Sequence, residues 1–355
     1  MTTASTFPYA LTRVGLLMAP EPGNELEVEG VLNPASGRGP DGELYLLPRL
    51  VAAGNVSRVG LARVELEGGV PASVTRQGVV LAPERTWEHG TNNAGVEDPR
   101  VTFIAEIGVH VMTYVAFGPL GPYTAVAVSE NLRDWRRLGP VTFEYDDELD
   151  VDLGLYHNKD TVFFPSPIVA PDGVPSIAVL HRPSWELGDI RAGEQPNPPA
   201  WLPDDRASIW MSFIPLDAVR ADLRALAHWG KHRFFAGPEF AFEELKIGAG
   251  PAPIRVPEGW LLLHHGVTGT ITRAIEQQKN VNYAAGGMIL DADEPWRILQ
   301  RTESPLLSAD TPDERAGIVP NVVFPTAIEE VDGVLYVFYG MADSKIGVAR
   351  LDRVG

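Results

Sequence analysis

Cysteine is absent from the 355 residues, which excludes a disulfide framework, thiol catalysis and cysteine-based zinc sites. Basic residues are scarce beside acidic ones, 29 against 47, for a formal net charge of −18. Such a chain repels nucleic acid phosphates and anionic lipid surfaces, so any cluster of cations in it is a local device. No stretch approaches the ~20 apolar residues that cross a bilayer. The first residues, MTTASTFPYALTRVGLLMAP, lack a basic segment followed by a full apolar one, and a soluble, cytoplasmic protein with neither nucleic acid nor membrane as partner is expected. No long amphipathic helical pattern, P-loop, GxSxG elbow, HxH or HExxH occurs. The adjacent pair His264 and His265 would point to opposite faces of one strand, so a histidine metal site is not expected.

What the chain does have is glycine and proline, 35 and 31 residues, and a repeat. A Pro- or Gly-marked segment opens into a β-rich run at 31–37 (VLNPASG), 95–104 (GVEDPRVTFI), 157–168 (HNKDTVFFPSPI), 247–256 (IGAGPAPIRV) and 319–328 (VPNVVFPTAI). Turn residues and a further apolar strand follow each opening, as in EGWLLLHHGV and DGVLYVFYGMAD, so each repeat reads as a small antiparallel sheet. The expected fold is all-β: a five-bladed β-propeller in a single domain, with the first strand of each blade lining a central channel. SENLRDWRRLG, LDAVRADLRALAHWG and LDADEPWRILQR each place an acidic turn before a tryptophan and read as outer blade edges. One helix is expected around 215–228, from apolar residues at Leu216, Val219, Leu223 and Leu226. The stretches at 188–205 and 268–280 lack strand character and are expected to be rim loops or contacts of a homo-oligomer.

The opening segments hold most of the unusual polar residues: Glu97, Asp98, Arg100, Lys159, Asp160 and Lys246. Asp98 precedes Pro99, a position pushed away from the right-handed helical region, and is expected to be extended and aimed at the channel. Its alternative is a turn that caps the strand start. Lys159, Arg182, Lys246 and His265, with Arg49, are expected to come from different blades and sit beside runs that look buried. Each could pair with a carboxylate. Together, around one funnel beside Asp98, they would form a phosphate-sized anion site, helped by loose backbone N–H groups of the IGAGPAP turn. Aromatic candidates for stacking on a sugar are Tyr114, Tyr156, Trp185, Tyr283 and Tyr339, against the alternative that such residues are core.

The segments GVEDPRVTF, HNKDTVFFPSPI with VLHRPSW, KIGAGPAPIRVPEGWLLLHHGV, YAAGGMILDADEPWRILQRTESPLL, and GIVPNVVFPTA with VFYGMADSKIGVA resemble glycoside hydrolase family 130, the β-mannoside phosphorylases. The resemblance runs from about residue 28 to 352. It implies a five-bladed propeller and inverting phosphorolysis of a non-reducing β-mannosyl unit, giving α-D-mannose 1-phosphate. Inorganic phosphate is the co-substrate, a β-mannoside or mannooligosaccharide the substrate, and no cofactor or metal takes part. It also implies that Asp98 is the proton donor, acting through a substrate hydroxyl, that Lys159, Arg182, Lys246 and His265 bind phosphate, and that Asn33, Arg49, Tyr283 and Asp343 help build the sugar site. Two other readings share the scaffold, a β-mannosidase that uses water and a non-catalytic carbohydrate-binding propeller.

Overall fold

The computed structural model describes residues 7–185, 198–202, 204–272 and 278–354. Blade 1 comprises strands Gly30–Arg38, Leu44–Ala52, Val56–Glu67 and Val70–Leu81, and blade 2 comprises Ala94–Ile104, Val109–Gly118, Gly121–Ser129 and Arg136–Pro140. Blade 3 has His157–Phe163, Pro175–Ser184, Ile209–Pro215 and His228–Ala236, and blade 4 has Lys246–Ala249, Gly259–Thr270, Asn280–Leu290 and Ile298–Arg301. In blade 5, Val323–Val331, Val334–Met341 and Lys345–Arg353 are completed by Tyr9–Met18 from the other end of the chain. The repeat expected from about residue 30 therefore misses one strand, because Tyr9–Met18 has no turn-marked opening of its own. Within each blade, successive strands pair antiparallel; a short parallel contact of Val56 and Ser57 with Ala94 and Gly95 joins blades 1 and 2. No helix among the described residues is long and apolar enough to cross a membrane.

Blade 5 meets blade 1 through directed bonds. Val31 N–H donates to Ser344 O at 3.1 Å, Thr326 Oγ1 donates to Pro34 O at 2.6 Å, and Ser36 Oγ donates to Glu329 Oε1 at 2.7 Å. Blades 2 and 3 are likewise bonded, Thr102, Thr113 and Thr124 donating to the carbonyls of Phe163, Thr161 and Asn158, and neighbouring blades also pack through apolar faces, such as Val162, Phe164, Leu180 and Met211 of blade 3 against Ile247, Trp260 and Leu262 of blade 4. Second strands are covered on both faces, which is why Val109–Gly118 and Gly259–Thr270 read as nearly continuous apolar runs.

The tryptophans of the outer edges behave as expected. Trp135 Nε1–H donates to Leu132 O at 2.9 Å and Trp229 Nε1–H to Leu226 O at 2.8 Å, and Trp296 packs on the core between blades 3 and 4. The helix expected at 215–228 is broken. An α-helix covers Leu216–Ala221 and a 3-10 helix covers Leu223–Ala227, because the extended Asp222 between them uses its carboxylate to cap the second piece at Arg224 N. Of the two loop segments, 186–197, 203 and 273–277 lie outside the described residues, so most of the 188–205 segment does too. The strands flanking the second extend to Thr270 and from Asn280.

A second repeat fastens the outer edges, and the sequence carries it as P-E-x3-E at 83–88 and 238–243. Glu88, Glu243 and Glu314 are fully buried. Each accepts two backbone N–H groups from the residues preceding it, one side-chain donor from the second strand of its blade, and an arginine from the outermost strand. For Glu88 these are Glu84 and Arg85 N–H, Tyr114 Oη and Arg137. For Glu243 they are Glu239 and Phe240 N–H, His264 Nε2 and Arg301; for Glu314, Asp310 and Thr311 N–H, Tyr339 Oη and Arg13. Burial alone would raise Glu243 and Glu314, but these partners outweigh it and hold both at about 2. Glu243→Ala leaves His264 and two N–H groups without their acceptor and removes one of the acceptors of Arg301. It should lower stability by about 3–5 kcal/mol, read as an earlier urea midpoint, whereas the exposed Glu239→Ala should stay within about 0.5 kcal/mol of the parent.

Candidate active site

The inner strands enclose a cavity of about 300 Å³ at the propeller axis, and Asn33, Arg49, Asp98, Lys159, Arg182, Lys246, His265, Tyr283 and Asp343 all line it. Backbone irregularity puts polar groups there. The pairing of blades 1, 2 and 3 slips between Leu32 and Ala35, between Glu97 and Arg100, and between Lys159 and Val162. At these bulges Asn33, Asp98 and Asp160 adopt left-handed φ angles of +42°, +46° and +51°. Asn and Asp tolerate that region better than other side chains, and a bulge re-aims the side chain it carries. The expectation that Asp98 is extended is thus corrected: the residue before a proline is kept from the right-handed helical region, and here the bulge takes it into the left-handed one. Asp343 also has φ +48°.

Arg49 organises one wall. Its Nη1 donates to Asp98 Oδ1 at 3.1 Å and its Nη2 to Glu97 Oε1 at 2.9 Å, while Nε and Nη2 also hold Ser57 and Asn55. A guanidinium so engaged orients carboxylates and has little left for a ligand. Asn33 Nδ2 donates to Asp98 Oδ1 at 2.8 Å, and Asn33 is held over Gly340, where any Cβ would overlap its side-chain oxygen. Burial would raise Asp98, but Arg49, Arg100, Asn33 and Lys159 outweigh it and hold the carboxyl below the usual range. Asp343 goes the other way. Burial, reinforced by Asp98 and Glu97, pushes it up to about 7 against the pull of Arg49 and Lys159. Asp98 is thus held as the anion, while burial raises both Glu97 and Asp343, the latter to about 7.

The opposite wall is cationic, with one carboxylate inside it. Arg182 Nε donates to Asp160 Oδ2 at 2.6 Å, and His265 Nε2 lies 3.4 Å from the same oxygen. Arg182 is therefore both ion-paired and cavity-lining. Lys159 Nζ stands 5.6 Å from the Phe117 ring centre and Lys246 Nζ 5.7 Å from that of Tyr283. His265 is stacked on Tyr283 and packed against Phe324. Burial, together with Arg182 and Arg100, lowers it to about 4 in spite of Asp160. His265, the fourth of the expected basic residues, is thus held as a neutral imidazole beside Lys159, Arg182 and Lys246 on the same cavity. Gly248 of the IGAG segment makes room for this arrangement, since a Cβ there would overlap both Asp160 Oδ2 and the His265 ring. The loose N–H groups expected of that turn are committed, Ile247 to Ala207 O and Gly250 to Leu263 O.

Other expectations are redistributed. Arg100 lies beneath the cavity, its Nε on Gly250 O and its Nη1 on the carbonyls of Asp98 and Pro99, with Phe324 across its face. Among the aromatic candidates only Tyr283 lines the cavity; Tyr114, Trp185 and Tyr339 are core, and Tyr156 packs edge-on against Trp185. His264, on the opposite face from His265, serves Glu243. No group of three or more potential metal ligands occurs among the described residues. Asp160, named with the polar residues of the opening segments, lines the cavity too, and its place in the ion pair with Arg182 was not read from the sequence.

Comparison with known proteins places the chain in a family. A family model described as beta-1,4-mannooligosaccharide phosphorylase matches residues 218–354. A 1,2-beta-oligomannan phosphorylase of Thermoanaerobacter sp. is 30% identical over 262 residues, which cover 73% of this chain and 68% of that protein. A beta-1,4-mannooligosaccharide phosphorylase of Ruminococcus albus is 40% identical over 126 residues, 35% of this chain and 36% of its own. The solved structure of a beta-1,2-mannobiose phosphorylase from Listeria innocua, in complex with beta-1,2-mannobiose, superposes with a TM-score of 0.69 at 21% identity, covering 98% of this chain and 97% of that one. The chain belongs to glycoside hydrolase family 130, the family of mannoside phosphorylases.

Proposed function

We propose that this protein is an inverting β-mannoside phosphorylase, which transfers a non-reducing β-D-mannosyl unit to inorganic phosphate and releases α-D-mannose 1-phosphate. The observation that carries the reading is the confluence of Lys159, Arg182 and Lys246, from blades 3 and 4, on the cavity that also holds Asp98. An inverting hydrolase needs a second carboxylate to activate water. Phosphate arrives already nucleophilic and needs only cations to hold it against the anomeric carbon. Relatives named as phosphorylases of 1,2- and 1,4-linked mannooligosaccharides support the substrate class.

In this reading Asp98 supplies the proton to the departing sugar oxygen. The surrounding cations keep Asp98 ionised despite its burial. A phosphate anion bound beside Lys159 and Arg182 offsets that positive charge and raises the carboxyl, so protonation follows binding. Arg49 and Asn33 fix its direction. Asp343 and Tyr283 complete the sugar side of the cavity, and inorganic phosphate is the only co-reactant, with no cofactor. One observation favours the β-mannosidase alternative: Asp343, at about 7, is suited to act as a base toward water. That alternative gives the cations of the cavity no nucleophile to hold.

Asp98→Asn should cut kcat by ~10²-fold or more while phosphate binds within a few-fold of the parent; retention of more than about a tenth of kcat would remove Asp98 from the proton-donor role. Arg182→Ala should raise the KM for phosphate and lower kcat/KM by ~10²-fold. Steady-state kinetics with phosphate varied at saturating mannooligosaccharide reads both. Asp343 makes a pH-dependent contribution of known sign. Its folded value lies above its unfolded one, so the native state gains from its proton below the unfolded value and loses that gain as pH rises through about 7. Asp343→Asn, neutral throughout, should raise Tm relative to the parent more at pH 8 than at pH 5, and an equal offset at both would contradict the assignment.

A further inference from the structure

A carboxylate in the middle of an anion site is a liability unless the anion brings it a proton. Asp160 is such a carboxylate. It lines the cavity between Lys159 and the Arg182–His265 pair, it is 8% exposed, and Arg182, His265 and Arg100 keep it ionised far below its usual range despite burial. Both of its contacts are on one oxygen: Arg182 Nε at 2.6 Å and His265 Nε2 at 3.4 Å, each to Oδ2. Oδ1 accepts no hydrogen bond from any described side chain or backbone group.

The neighbours leave this acceptor in place. Asp160 can only accept, His265 Nε2 lies 3.4 Å from its Oδ2, and His265 Nδ1 is buried and without a partner. Arg182, by giving Nε to Asp160, keeps the Nη edge of its guanidinium for one. The wall thus pairs cations that want negative oxygens with a carboxylate oxygen that wants a donor. An oxyanion without a proton would satisfy the cations and set a lone pair against Oδ1, whereas a hydrogenphosphate satisfies both.

We propose that Asp160 Oδ1 accepts the hydroxyl proton of the bound hydrogenphosphate, and so makes the site select oxyanions that carry a proton at neutral pH, phosphate and arsenate, over those that do not. This rests on the phosphorylase reading and adds to it the reason for choosing phosphate over sulfate, an anion of the same size and geometry.

The experiment is calorimetric titration of the protein at pH 7 with four anions: phosphate, arsenate, sulfate and monofluorophosphate, in which fluorine replaces the hydroxyl on phosphorus. Phosphate and arsenate should bind with similar affinity, and sulfate and monofluorophosphate about 100-fold more weakly. In Asp160→Asn the ratio between the two pairs should narrow to about tenfold or less. The parent protein alone decides the first part, so an unstable variant does not protect the proposal. Monofluorophosphate or sulfate binding within a few-fold of phosphate would overturn it while leaving the phosphorylase reading intact. Phosphate selectivity unchanged in a folded Asp160→Asn would equally remove Asp160 from the role. Failure of all four anions to bind would overturn the phosphorylase reading, and this inference with it.

Discussion

The site depends on one constraint of the backbone: an inner strand cannot aim successive side chains at the axis unless its alternation is broken. In blades 1, 2 and 3 a bulge breaks it, and at each bulge an Asn or Asp accepts a left-handed conformation, Asn33, Asp98 and Asp160. Such backbone costs of order 1–3 kcal/mol per residue and persists where the surroundings over-determine it. Here the surroundings are the hydrogen bond from Asn33 to Asp98, the ion pair of Arg182 with Asp160, and glycines at 340 and 248 that leave room for Asn33 and Asp160. Replacing either glycine would act on chemistry through these neighbours rather than directly.

Charge is then sorted by position. At the outer edges buried glutamates are saturated with backbone N–H groups and arginines, and they are permanent anions that fasten one strand to another. At the axis the same residue types are left partly unsatisfied. Arg49 is consumed in holding Glu97 and Asp98, Arg182 is half consumed by Asp160, and Asp343 is left to carry a proton. Buried charge without a full set of partners is expensive, and its concentration at one cavity is what marks the functional centre.

Much of this was legible in the sequence. The turn-marked openings and apolar runs gave the five sheets, and the polar residues within those openings pointed to the axis. What could not be read depends on relations between distant segments. Tyr9–Met18 pairs with Lys345–Arg353 from the far end of the chain, and no local pattern announces that closure. The charge on His265 is set first by burial and then by Asp160, Arg182 and Arg100 from other blades, none of which its own segment shows. Asp160 was adjacent to Lys159 in plain view, but in a regular strand adjacent residues face opposite ways, and only the bulge brings both to the cavity. The P-E-x3-E spacing was visible too, yet its meaning required the arginines of strands many residues away.

The central claim is that the cations at the axis hold phosphate as the nucleophile. It is tested most directly by incubating the purified protein with β-1,2-mannobiose and with β-1,4-mannobiose, in the presence and absence of inorganic phosphate, and following the products by phosphorus and proton nuclear magnetic resonance. The account predicts cleavage of at least one of the two disaccharides only with phosphate, with α-D-mannose 1-phosphate appearing as the first product. Release of free mannose at an undiminished rate without phosphate would contradict it.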